Sequence, residues 1–130
     1  MKIKYVVLMI VVSLALSGCA SNQQRTAQRE MYNSTIPVCN KGEDCDNKWD
    51  AAQIWVSKNC GMKIQLVNDT IIETYNSSKN STHLAASILR EPIGNGKYKI
   101  TIKTGCNNIF GCVPNALEAA ISFNKYVSSM

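Results

Sequence analysis

At 130 residues the chain has room for one small domain, near the lower end of sizes that bury a useful core. Fourteen basic against nine acidic residues give a formal charge of +5, which is mild. No aromatic residues interleave a dense basic run, so a single-strand nucleic-acid binder is excluded.

Lys2 and Lys4 make a short positive start, and Tyr5 to Leu16 is an almost unbroken apolar run. This is how a secretory signal peptide reads. About twenty apolar residues are needed to cross the hydrocarbon core, and this run is too short. It ends in Leu16-Ser17-Gly18-Cys19, which resembles the lipobox of bacterial lipoproteins. The resemblance covers the first twenty residues and implies that Cys19 is acylated and becomes the first residue of the mature chain. Its sulfur would carry a diacylglyceryl thioether and its amine an acyl amide. At about 0.8 kcal/mol per buried methylene, two chains already anchor stably where one does not. In the same family an Asp after the cysteine favours inner-membrane retention. Ala20 stands there instead, which points to the outer membrane, facing the periplasm. Loss of residues 1–18 also removes Lys2 and Lys4, leaving a charge of +3 from twelve basic and nine acidic residues.

Ser21 to Ile36 is polar and has no sustained apolar period, so residues 19–37 read as a lipidated flexible tether. A short frayed helix is the alternative, because Ala27 to Tyr32 holds fair helix formers. Residues 38–130 form the domain. Within it, Asp46 to Asn59 predicts a helix, with Cys45, Trp49, Ala52, Val56 and Cys60 along one stripe. Asp44 and Asp46 sit where they can cap and complement its N-terminus, and Gly61 can end it. The acidic group Glu43, Asp44, Asp46 and Asp50 lacks the central glycine and terminal glutamate of a calcium loop.

Strand-like runs follow. Met62, Ile64 and Leu66 alternate with polar residues, and TIIETY (70–75) is rich in β-branched side chains. Residues 82–89 form a third run. KYKITIKT (97–104) alternates most clearly, with Tyr98, Ile100 and Ile102 on one face and Lys97, Lys99 and Lys103 on the other. Asn115 with Glu118 resembles a capping box. Leu117, Ala120, Ile121, Asn124 and Val127 then recur at helical spacing, with Asn124 alone spoiling the apolar stripe. The order predicts an α+β domain: an antiparallel four-stranded meander with an N-terminal and a C-terminal helix packed on one face.

Besides Cys19 there are five cysteines, which in an oxidising compartment predict two bridges and one leftover thiol. Fifteen arrangements satisfy that count. The matched spacings Cys39-x5-Cys45 and Cys106-x5-Cys112, each spanning a glycine, favour two local bridges with Cys60 free. Each would stabilise by about 2 to 2.5 kcal/mol through chain entropy. No Cys-x-x-Cys occurs, and Cys60 lies at the negative end of a helix, which disfavours a thiolate. With one histidine, His83, and cysteines spent on bridges, four zinc ligands do not assemble, so no metal or cofactor is expected.

No catalytic motif or phosphate loop is present, and a non-enzymatic envelope module, binding a macromolecule or supporting an assembly, is the expected function. A periplasmic inhibitor or immunity-type protein is the alternative. The candidate contact for anionic envelope surfaces is the row Lys97, Lys99 and Lys103, which Lys63 and Gln65 would extend if their strand pairs nearby. The bland reading is a row that only keeps a sheet face solvated.

Overall fold

The computed structural model describes residues 21–130, so the stretch expected to be a signal segment and lipobox, ending at Cys19, lies outside the described residues. In chain order the elements are helix α1 (residues 21–34), strand β1 (Val38–Asn40), helix α2 (Glu43–Asn59), strands β2 (Ile64–Val67), β3 (Ile71–Thr74), β4 (Ala85–Gly94) and β5 (Lys97–Gly105), and helix α3 (Ala116–Ser128). The class is α+β, with one antiparallel sheet in the order β1-β5-β4-β3-β2.

The sheet has five strands where the sequence predicts four. The addition is β1, whose three residues are too few to show alternation. It is held against β5 by the register Val38 opposite Lys99, and the Ile100 amide just beside it donates to the Pro37 carbonyl at 2.9 Å. The other four strands run as the expected meander.

Period-two alternation decides which face is covered. Ile72, Ile88, Ile100 and Ile102 are all buried, and they share one cluster with Trp49, Trp55 and Val56 of α2 and Phe123 and Val127 of α3. Both helices therefore pack on the same face of the sheet. Phe123, beside the stripe predicted for α3, is itself fully buried. Asn115 caps α3 as expected, its side chain accepting from the amides of Leu117 and Glu118 at 3.0 and 3.2 Å.

Three local expectations are corrected. Residues 21–34 are helical rather than a flexible tether, because the last turn gains tertiary partners. Asn124 donates its side-chain amide to the Tyr32 carbonyl at 3.0 Å, and the Tyr32 hydroxyl donates to the Ile102 carbonyl at 2.8 Å. The first of these adds a tertiary donor to a carbonyl in the last turn that otherwise has only Thr35 beside it. Helix α2 starts at Glu43, and Asp44 and Asp46 complement its first turn as expected but neither caps it; the N-cap is Gly42 at φ +106°, a backbone shape that glycine tolerates. Asp44 instead accepts from the Asn40 amide at 2.7 Å and from Lys48 at 2.8 Å, bracing the β1–α2 turn. Gly61 does not terminate the helix by a left-handed turn. Cys60 is extended there, and a Cβ on Gly61 would stand 2.7 Å from the His83 Cβ, so the glycine serves close approach.

Two disulfides join Cys39 to Cys45 and Cys106 to Cys112, and Cys60 is free. The first pins β1 to the opening turn of α2 inside the core. The second closes a loop after β5.

Candidate functional site

One face of the sheet is covered by α2 and α3, so the chemistry open to a partner lies on the opposite face and in the loops at its ends. Lys97, Lys99 and Lys103 are on that open face, as alternation requires. They do not form an uninterrupted positive row. Glu91 stands directly opposite Lys99 in the β4–β5 register and pairs with it at 3.5 Å. Lys103 faces Ser87, and Ser87 faces Glu73 on the next strand, so a carboxylate shares its cross-strand row. Lys63 and Gln65 do not extend the lysines. Their strand β2 is the far edge of the sheet, three strand spacings or about 14 Å from β5.

Between Lys103 and Glu73 the open face dips into a groove of about 500 Å³, whose walls also include Asn76, Ser77, Ser87 and Asn107. One cation, one carboxylate, hydroxyls and amides converge there. Such a set hydrogen-bonds a polar ligand. It contains no histidine and no thiol, because Cys106 at its rim is in a disulfide.

At the same end of the sheet the disulfide-closed loop 106–112 presents Ile109 and Phe110, 91% and 92% exposed, with Val113 just beyond at 70%. Asn108 holds the tip in shape. Its side-chain oxygen accepts from the Phe110 amide at 2.9 Å, and its side-chain nitrogen donates to the Asn80 carbonyl at 2.7 Å. The Val113 amide donates to the Thr82 carbonyl at 3.0 Å, tying the loop's exit to the segment before β4. The sequence reading passed over this tip. Two adjacent apolar residues show no period, and their position inside a bridged loop is the signal that marks them.

Cys60 is the one free thiol among the described residues. Burial pushes it up to about 11, the opposite of an activated nucleophile. The carboxyl of Asp44 is held below the usual carboxylate range, first by its bond to Lys48 and then by the Asn40 amide, which suits its bracing role. Among the described residues no group of three or more His, Cys, Asp or Glu is placed to hold a metal ion, and no helix is long and apolar enough to cross a membrane. Set beside known protein families, curated proteins and solved structures, the chain matches none.

Proposed function

We propose that the protein is a lipid-anchored lipoprotein of the bacterial envelope, on the periplasmic side of the outer membrane, whose α+β domain is a non-enzymatic binding or structural module. The observation that carries the reading is the charged start, apolar run and Leu16-Ser17-Gly18-Cys19, ending two residues before α1 begins to be described. Two bridges across five-residue spans support it, since disulfides persist in oxidising compartments. The polar groove and the exposed loop supply binding surface. The residues that meet in the groove are hydrogen-bonding groups suited to holding a polar ligand. The anchor is tested by metabolic labelling with a fatty acid in cells making the Cys19→Ser chain. Label is expected on the wild type and absent from the variant. A Cys19→Ser chain that has lost residues 1–18 and still sediments with membranes would overturn the anchor. Cross-linking in intact cells identifies the partner, and stoichiometric capture of a single enzyme would favour the inhibitor reading instead.

A further inference from the structure

We infer that the loop 106–112 is a second membrane contact, its tip residues Ile109 and Phe110 entering the lipid surface on which the anchored domain stands. The inference rests on the reading of Cys19 as lipidated, and it adds to that anchor an orientation of the domain.

The geometry comes from three hydrogen bonds that α3 shares with α1 and with Thr35 just after it. Gln28 donates to Glu118 at 3.4 Å, Asn124 to Tyr32 at 3.0 Å and Ser128 to Thr35 at 3.5 Å. Partners rise together along both helices, so α1 and α3 run parallel. The Thr104 hydroxyl donates to the Ala116 carbonyl at 2.6 Å, which sets the end of β5 beside the start of α3. From Gln28 the chain runs back seven residues to Ser21, about 10 Å further in the same direction. The starts of α1 and α3, the end of β5 and the bridged loop therefore share one end of the molecule. The turn between β4 and β5, with Ile93 and Gly96, is at the other.

Cys19 precedes Ser21 by two residues, so a lipid there holds this end against the bilayer. Single exposed apolar residues are ordinary. Here two large neighbours stand almost fully exposed on a loop closed by a disulfide and braced by Asn108, so no ordering cost is left to meet on insertion. Arg25 on α1 and Lys79, next to the Asn80 that receives the Asn108 amide, are exposed at the same end and complement anionic head groups. Apolar side chains with flanking basic ones are the composition that enters the interface to a depth of about 5 to 10 Å.

The test uses the full chain carrying Phe110→Trp in vesicles of phosphatidylethanolamine and phosphatidylglycerol, with and without brominated acyl chains. Trp49 and Trp55 are buried and present in every sample, so the wild-type signal is subtracted. A second chain carries Ile93→Trp at the opposite end. The indole at position 110 is expected to shift to the blue and to be quenched by the brominated lipid, while the indole at position 93 does neither. Mass spectrometry of the same samples reports acylation at Cys19. An acylated chain whose position 110 is not quenched overturns the inference and leaves the anchor standing. An unacylated chain overturns the anchor, and the quenching of that chain mixed with the vesicles still decides the tip: present, it supports insertion; absent, it overturns it. A blue shift without bromine quenching marks a second copy or another protein over the tip, and also overturns it.

Discussion

Trp55 of α2 and Phe123 of α3 meet edge to face, their ring centroids 5.4 Å apart and their planes at 84°. The pair joins the two helices inside the cluster that buries Ile88, Ile100 and Ile102 of the sheet. Edge-to-face pairs add about 0.5 to 1.5 kcal/mol beyond the area they bury.

Phe123→Ala removes this contact and leaves a cavity at a fully buried position. The expected loss is about 3 to 5 kcal/mol, a large share of the stability of so small a domain. Urea unfolding checks it, through a lower midpoint with an unchanged slope. Phe123→Leu, which keeps most of the volume, should lose less.

The docking of α1 should weaken in alkali. Burial raises the Tyr32 phenol above its ordinary value of 10.0, and the hydrogen bond to Ile102 acts the other way. A raised acid binds its proton more tightly in the fold than in the unfolded chain. Its contribution is therefore complete below about pH 10 and is lost as pH rises through the raised value. Hydrogen–deuterium exchange around residues 29–35, corrected for its intrinsic base-catalysed rate, is expected to rise over that range in the wild type. In Tyr32→Phe the exchange should be faster already at neutral pH and should lack this alkaline step.

Cys60, pushed up to about 11, is expected to react slowly with iodoacetamide at neutral pH and quickly once the chain is unfolded. Peptide mapping under non-reducing conditions should show Cys39 with Cys45 and Cys106 with Cys112. A peptide joining Cys60 to another cysteine would contradict the structure.

For the lysines, the broken charge row sets a modest expectation. Binding of the lipid-free domain to anionic peptidoglycan should fall with added salt, as exposed charges are screened. Changing Lys97, Lys99 and Lys103 together to Gln should reduce both the binding and its salt dependence. Lys99→Gln alone should change least, because Glu91 already pairs with it. Unaltered binding of the triple variant would leave these side chains with no part in recognition.

What the sequence made legible was local. Alternation in KYKITIKT, the cap at Asn115 and the matched cysteine spacings each act over a few residues, and each stands in the structure. The missed features depend on distant partners. Asn124 looks like a flaw in an apolar stripe until Tyr32 is placed beside it, 92 residues earlier. Strand β1 exists because β5 offers it a free edge, and Asp44 braces a turn because Asn40 returns to it. The open-face groove needs β3, β4 and β5 side by side, so no single stretch announces it. The tip at Ile109 and Phe110 was marked in the sequence only by its place between Cys106 and Cys112, and its exposure needs the folded chain.

The contact between Asn124 and Tyr32 also has a consequence in time. Of the described elements α1 emerges from the ribosome first, and the side chains that fasten its end follow some 90 residues later. Until α3 has been made, α1 has neither Asn124 nor Ser128 to hold, and a helix of its length is marginal in water without such partners. The segment that follows Cys19 is therefore left undocked through most of synthesis. Docking of α1 closes the longest loop of the fold, and is expected among its last steps.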